Sequence, residues 1–165
     1  MSMSESHKKI ISDHSQLLER VNALKEAGKT IVFSNGCFDL IHVGHVRYLQ
    51  GAAMEGDVLI TALNSDESIR KLKGASRPLM PLSERMEIIA EFGCVDLVTS
   101  FDGEKCEELL LLLKPDVHAK GTDYSYDNVP ERATVLGYGG RIAIVGDPKN
   151  HNSSDFIRQL GSTNR

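Results

Sequence analysis

The sequence predicts a single α/β domain, built on a mainly parallel five-stranded sheet with helices packed on both faces. Three observations support this. The length of 165 residues suits one domain. Short β-branched segments alternate with amphipathic ones along most of the chain, and no repeat or low-complexity linker divides it. Strands that alternate with helices form βα units, and such units build parallel sheets. We therefore predict one domain over residues 14–165, preceded by a flexible extension over residues 1–13.

The elements predicted for the first half rest on hydrophobic spacing and on helix-end signals. Apolar residues at intervals of three and four, followed by glycine, predict helices over residues 15–27 and 44–55. Apolar runs rich in β-branched residues predict strands over residues 30–34 and 57–63. A serine followed by two acidic residues is typical of a helix N-terminus and predicts a short helix over residues 65–71.

The second half continues the alternation after a basic loop at residues 73–81, which contains glycine and proline. The predicted strands are residues 95–100, 116–119 and 141–145. The predicted helices are residues 82–92, 103–113, 129–136 and 153–160. The arrangement is Rossmann-like, and in such sheets ligands bind beyond the carboxyl ends of the strands, at a switch in strand order. Motifs that carry chemistry are therefore expected directly after strands.

Composition excludes several classes of protein. Hydrophobic residues make up 41% and charged residues 25%, as in ordinary globular chains. The longest apolar run, residues 109–113, is far shorter than the ~20 residues of a membrane span. The net charge of −4 disfavours nonspecific nucleic-acid binding. Three cysteines without a CxxC pair, and without a secretory signal before them, predict reduced thiols in the cytoplasm.

The densest group of functional residues is the segment NGCFDLIHVGH at residues 35–45, which follows the first predicted strand and enters a helix. His42 and His45 are three positions apart, so they lie on the same side of the first helical turn. Gly44 between them lets a ligand approach the backbone closely. Either histidine alone is more typical of a surface or core residue. Together with the free N–H groups of a helix N-terminus, however, they predict a phosphate cradle.

This segment carries a family resemblance. His42-Val43-Gly44-His45 resembles the HxGH signature of the nucleotidyltransferase superfamily, and Gly36-Cys37-Phe38-Asp39 is similar to its G-x-F-D loop. Class I aminoacyl-tRNA synthetases share a similar signature but are much longer, and no GxGxxG follows the first strand. The resemblance implies that His42 and His45 are catalytic, as hydrogen-bond donors to the α- and β-phosphates. It implies a nucleotide-binding role for Asn35, Gly36, Cys37, Phe38 and Gly44.

The segment after the second predicted strand is basic, and its candidate site residues are Lys71, Lys73, Arg77 and Arg85. Spacing alone leaves two interpretations, a solvated loop or a mobile basic clamp over a triphosphate. The pattern RPLMPLSER at residues 77–85 is similar to the adenylyltransferase domain of bacterial bifunctional heptose-phosphate kinase/adenylyltransferases. The resemblance implies that Lys71 and Lys73 are catalytic and neutralise the leaving pyrophosphate. It implies that Arg77 and Arg85 contribute to the sugar-phosphate site.

Two later segments continue the resemblance. KGTDY at residues 120–124 is similar to the K-G-x-D-Y segment of the heptose enzymes, which implies sugar-phosphate binding by Lys120, Gly121 and Asp123. Asp123 either hydrogen-bonds sugar hydroxyls or caps a turn. Ser153 and Ser154 precede the last helix; one is expected to cap it and the other to bind nucleotide phosphate. The arginine and glycine that usually precede such serines are missing, which leaves base recognition unassigned.

The resemblance implies that ATP and heptose 1-phosphate form ADP-heptose and pyrophosphate, for lipopolysaccharide or surface-glycan precursors. Mg²⁺ is expected to bind mainly through the triphosphate, with no metal held by protein ligands. A stand-alone cytoplasmic enzyme without a kinase domain is expected, as a homodimer with no nucleic-acid or membrane partner. Two alternatives stay open: a cytidylyltransferase acting on glycerol 3-phosphate or another alcohol phosphate, and a nucleotide-binding regulator without turnover.

Overall fold

The computed structural model describes residues 6–148 and 153–162. Its strands are β1 (Ile31–Gly36), β2 (Val58–Asn64), β3 (Leu97–Phe101), β4 (Val117–Gly121) and β5 (Arg141–Val145). Its helices are α1 (His14–Glu26), α2 (Val43–Ala53), α3 (Asp66–Lys73), α4 (Leu82–Ala90), α5 (Glu107–Leu113), α6 (Arg132–Gly137) and α7 (Ser153–Ser162). The strands form one sheet in the order β3-β2-β1-β4-β5, and every pairing between them is parallel. The predicted α/β class is confirmed.

Helices cover both faces of the sheet because successive residues of its central strands point to opposite sides. On β1, Ile31 and Phe33 join one buried cluster with residues of α1, α5 and α6. Val32, between them, joins a second cluster with residues of α2 and α4. The apolar runs predicted as buried strands are therefore buried from both sides.

Two helices begin later than predicted. The helix expected from residue 103 begins at Glu107, because Gly103 adopts φ +98° and holds the chain in a turn. The helix expected from residue 129 begins at Arg132, because a 3₁₀ turn over Tyr126–Asn128 and an extended Val129 precede it. Both shifts lengthen loops that follow the C-terminal end of a strand.

The strand order reverses direction between β1 and β4. After β1 the chain moves outward to β2 and β3, and it then crosses back to place β4 on the other side of β1. Helix α2 packs close to the end of β5 at this point. A Cβ at Gly51 would lie 3.1 Å from both the Gly146 nitrogen and Val145 Cβ, a tight contact that the absence of a side chain at Gly51 avoids. A crevice at such a switch is the usual ligand site of an open α/β sheet.

Part of the predicted extension contacts the sheet. Ile10 pairs with Val98 in a parallel bridge, and the Ile11 N–H donates to the Val98 carbonyl at 2.8 Å. The Lys9 ammonium donates to the Phe92 carbonyl at 3.1 Å. The domain boundary at residue 14 stays a prediction, but residues 9–11 lie along β3 rather than in solvent. Among the described residues, no helix has the length and apolar character needed to cross a membrane.

Candidate active site

A cavity of about 500 Å³ opens at the carboxyl ends of the strands. It is lined from the ends of β1, β2, β4 and β5, the N-terminus of α2 and the end of α3. The sequence-predicted residues that line it are Asn35, Gly36, Cys37, Phe38, His42, Gly44, His45, Lys73, Lys120, Gly121 and Asp123. Its size suits a small-molecule ligand. Residues predicted from three separate motifs therefore meet in one cavity.

The two histidines cap helix α2 as well as line the cavity. Nδ1 of His42, the N-cap residue, accepts the Gly44 N–H at 3.1 Å, and Nδ1 of His45 accepts the His42 N–H at 3.3 Å. Their ring centroids are 4.0 Å apart. Because both Nδ1 atoms act as acceptors, the proton of each neutral ring is assigned to Nε2. In that tautomer, Nε2 of each imidazole is a hydrogen-bond donor.

The Phe38 side chain packs against the ring of His45. It adopts φ 48°, which is unusual for a non-glycine residue, and its side chain is buried. Its ring centroid lies 5.3 Å from that of His45 and 6.4 Å from that of Tyr48. A Cβ at Gly36 would lie 3.0 Å from the Phe38 ring, so glycine makes room for this packing. Both residues shape the wall of the cavity and contribute no side-chain polar group.

Asp39 fastens the basic loop to the β1–α2 loop. Its carboxylate accepts hydrogen bonds from Arg77 Nε at 2.6 Å and from the N–H groups of Leu79 at 2.9 Å and Met80 at 3.1 Å. Burial alone would raise the pKa of Asp39, but these three donors outweigh it and lower that pKa below its ordinary value. The carboxylate is therefore committed to holding the loop.

Arg85 is completely buried beneath the same loop. Its guanidinium donates to the Cys37 carbonyl at 2.6 Å and the Asn64 carbonyl at 2.9 Å. It also donates to Asp66 Oδ1 at 2.7 Å. Neither Arg85 nor the buried Arg77 belongs to the cavity lining. Both arginine side chains are engaged with the loops that form the site. Their predicted contribution to the sugar-phosphate site stays a prediction.

The two predicted lysines of α3 lie in different environments. Lys73, at the C-terminal end of the helix, lines the cavity. Lys71 lies outside the lining, 62% exposed, and pairs with Glu67 at 2.7 Å along the helix surface. Lys105, in the loop after β3, also lines the cavity. The sequence analysis did not identify Lys105. Its position shortly after a predicted strand could have indicated a place at the ligand-binding edge of the sheet.

Lys120 is a buried cation in the cavity wall, only 5% exposed. Its ammonium donates to Asn35 Oδ1 at 3.2 Å and lies 3.5 Å from Glu131 Oε2. It also lies 4.7 Å from the centre of the Tyr124 ring, within cation–π range. Glu131 and Tyr124 line the cavity too. Glu131 was not predicted, since no motif marks it.

The thiols near the site are protonated. Burial raises the pKa of Cys37, which lies in the cavity wall with Sγ 3.7 Å from Asn64 Oδ1. Burial, reinforced by the charge of Glu131, raises the pKa of Cys106 to about 12. Because the thiolate is the nucleophilic form, neither cysteine is suited to covalent catalysis at neutral pH.

The last predicted motif falls partly outside the described residues. Helix α7 begins at Ser153, but the side chains of Ser153 and Ser154 lie outside the description, as do residues 149–152. Their phosphate-binding role stays a prediction. The loop that leads toward them is described as far as Pro148, and Asp147 in that loop pairs with Arg47 of α2 at 2.7 Å.

Comparisons with known proteins place this chain among nucleotidyltransferase-related sequences. A family model described as cytidylyltransferase-like matches residues 33–158. The bifunctional protein HldE of Syntrophotalea carbinolica is 46% identical over 136 residues, which are 82% of this chain and 28% of that protein. The HldE protein of Alcanivorax borkumensis is 44% identical over 153 residues, 93% of this chain and 30% of that protein. The chain therefore spans less than a third of the length of these relatives.

Two solved structures share the fold. A lipopolysaccharide core biosynthesis protein from Thermoplasma volcanium superposes with a TM-score of 0.64 at 24% identity, covering 74% of this chain and all of that one. Pantoate-β-alanine ligase from Francisella tularensis gives 0.60 at 16% identity, covering 88% of this chain and 68% of that one. At such identities the likeness concerns the fold alone.

Proposed function

Because the chain belongs to the cytidylyltransferase-like family of nucleotidyltransferases, we propose that it transfers an adenylyl group from ATP to heptose 1-phosphate. The products are ADP-heptose and pyrophosphate, and the nucleotide sugar is a precursor for lipopolysaccharide or another surface glycan. The observation that carries the proposal is one cavity that contains two imidazoles at a helix N-terminus together with Lys73 and Lys120. The choice of sugar rests on the segments RPLMPLSER and KGTDY and agrees with the HldE relatives.

The reaction is a direct displacement at phosphorus. A phosphate oxygen of the sugar phosphate attacks the α-phosphorus of ATP, the new O–P bond forms, and the bond to the bridging oxygen breaks as pyrophosphate leaves. The nucleophile is already an anion, so no strong general base is required. The protonated thiols of Cys37 and Cys106 are consistent with transfer that forms no bond to the enzyme.

Catalysis then consists of alignment and charge stabilisation. The Nε2–H groups of His42 and His45 donate to the α- and β-phosphates as negative charge grows on them. Lys73 neutralises the leaving pyrophosphate, and Lys120 holds the acceptor phosphate. Lys71 adds only longer-range charge, because its side chain lies outside the cavity and is paired with Glu67.

Mg²⁺ is proposed to enter with ATP. Of the five carboxylates that line the cavity among the described residues, three have basic partners: Asp39 holds the basic loop through Arg77, Glu131 lies beside Lys120, and Asp147 pairs with Arg47. This donor set suits an ion that takes most of its ligands from triphosphate oxygens and water. When bound, the ion neutralises phosphate charge, while the histidines and lysines orient the phosphates.

Pyrophosphate release tests the proposal. ATP, CTP and GTP are each combined with heptose 1-phosphate and with glycerol 3-phosphate in the presence of Mg²⁺, and His45→Ala serves as the inactive control. Release with ATP and heptose 1-phosphate, reduced about 10²–10³-fold in kcat by His45→Ala, is expected. Release confined to CTP and glycerol 3-phosphate would overturn the substrate assignment. Nucleotide binding without release in any combination would support a regulator instead.

A further inference from the structure

The wall of the cavity beside Lys120 continues into a buried polar cluster. His118 and Lys120 are two positions apart on β4, so they project from the same face of the strand. Glu131, just before α6, lies between them, with Oε2 3.6 Å from His118 Nε2 and 3.5 Å from Lys120 Nζ. Exposures of 0%, 3% and 5% for His118, Glu131 and Lys120 leave little access for water.

Burial and the neighbouring side chains determine which members of this cluster are charged. Burial lowers the pKa of His118, so its ring is neutral at pH 7. Burial would raise the pKa of Glu131, but His118 and Lys120 outweigh that effect and lower it to about 2. Glu131 is therefore an anion whose neighbouring cation is Lys120. An unpaired buried charge is strongly unfavourable, so each of these two side chains depends on the other.

A metal ion is the competing explanation for this cluster. One donor atom each of Cys106, His118 and Glu131 lies within 4.8 Å of the others. The Lys120 ammonium already provides a positive charge beside the Glu131 carboxylate. The pKa of Cys106, at about 12, also keeps its thiol protonated. The side-chain cation therefore fits the cluster better than a metal ion does.

The contacts of Lys120 leave part of its ammonium available to a ligand. An ammonium has three N–H donors. One is directed to Asn35 Oδ1 at 3.2 Å, whereas Glu131 Oε2 lies 3.5 Å from Nζ in an ion pair and accepts no hydrogen bond within the described residues. Since both Asn35 and Lys120 line the cavity, a remaining donor can meet an anionic oxygen there.

We propose that Glu131 is a positioning residue for nucleotidyl transfer: its buried carboxylate fixes the Lys120 ammonium in the cavity wall, where the ammonium binds the acceptor phosphate. The proposal rests on the proposed function, because it takes Lys120 as a phosphate ligand. Without the carboxylate, the partners of Lys120 among the described residues are Asn35 and the Tyr124 ring, and its long side chain moves away from the position that binds phosphate.

A double-mutant cycle tests this role. Glu131→Gln and Lys120→Met are each expected to raise KM for heptose 1-phosphate and to lower kcat/KM about 10- to 100-fold, the scale of a misplaced substrate contact. KM for ATP is expected to change less than about twofold. The double variant should be no worse than Lys120→Met alone, because Glu131 acts only through Lys120.

A matched control is Glu107→Gln on α5. Glu107 contacts Thr134 of α6 at 3.4 Å, so it supports the same helix without approaching Lys120. Its kinetics should equal those of the wild type. If the losses caused by Glu131→Gln and Lys120→Met multiply, or if Glu131→Gln stays within about twofold of wild type, the positioning role is overturned.

A readout without turnover separates this proposal from the proposed function. Lysine ammonium protons give sharp ¹H–¹⁵N signals only when hydrogen bonds slow their exchange with water. We expect such a signal from the Lys120 ammonium in the wild type and in Glu107→Gln; its absence from Lys120→Met identifies it, and it should also be absent from Glu131→Gln. If this pattern is observed but no transfer to heptose 1-phosphate occurs, the substrate assignment is refuted and the positioning of Lys120 by Glu131 is not. Transfer together with an ammonium signal that Glu131→Gln leaves unchanged would refute the positioning role alone.

Discussion

Replacing His42 by asparagine separates its two functions in the structure. His42 accepts the Gly44 N–H through Nδ1 at 3.1 Å as the N-cap of α2, and it lines the cavity, where its Nε2–H is the proposed donor to phosphate. Asparagine is among the best N-cap residues, and its Oδ1 can replace Nδ1. It has no donor at the position of Nε2. We therefore expect His42→Asn to keep the helix cap and to lose catalysis.

The magnitudes follow from these two contacts. Loss of a cap costs about 1 kcal/mol, so His42→Ala is expected to lower the free energy of unfolding by about that amount and His42→Asn by a few tenths. For a domain of this size, 1 kcal/mol corresponds to about 2–4 °C in Tm. Loss of one transition-state donor lowers kcat about 10²–10³-fold, and both variants share that loss.

Urea unfolding followed by circular dichroism measures the first effect, and pyrophosphate release measures the second. His14→Ala is a suitable control, since His14 contacts the Ser100 carbonyl at 2.8 Å outside the cavity lining and should not change kcat. A His42→Asn variant that retains a third or more of wild-type kcat would refute the Nε2–H donor. Equal destabilisation by asparagine and alanine would refute the cap.

Other parts of the site give further predictions. Arg85→Met should lower the free energy of unfolding, measured in urea, by about 3–5 kcal/mol, because it removes the cation beside Asp66 and the donors to three carbonyls; a loss below about 1 kcal/mol would contradict the buried network. Lys73→Ala should lower kcat at least about tenfold, whereas Lys71→Ala should stay within about threefold; equal losses would mean that both lysines reach the phosphates. The lowered pKa of Glu131, about 2 against an ordinary 4.5, adds stability that is present above pH 4.5 and lost as the pH falls toward 2. The stability gap between wild type and Glu131→Gln, measured by urea unfolding, should therefore narrow from pH 6 to pH 3, and a constant gap would contradict it.

The sequence was sufficient for the fold and for the centre of the site. Alternating apolar segments require βα units, and βα units bring the ends of their strands to one edge of the sheet. That reasoning places residues 35–45 and Lys120 at the same edge of the sheet, although 75 positions separate Lys120 from His45. That β1 and β4 are neighbours is known only from the structure. The structure confirms the fold and brings these residues into one cavity.

Side-chain direction was the part that sequence reasoning missed. Lys71 and Lys73 are two positions apart on one helix, so they point to different sides, and the basic run does not reveal which side meets the cavity. Arg85 shares a helical stripe with Ile89, four residues later, which was a signal for burial. Glu131 meets Lys120 only through the packing of α6 beside β4, which no local pattern specifies.

The pairing of residues 9–11 with β3 matters beyond the active site. Strand β3 is the outermost strand on its side of the sheet, and an open strand edge is a template for pairing with another chain. The Ile11 N–H occupies the Val98 carbonyl on that edge. A chain shortened to begin at residue 14, the boundary that hydrophobic spacing suggests, would uncover this edge. The short segment before α1 therefore covers part of an edge that would otherwise be open to pairing with another chain.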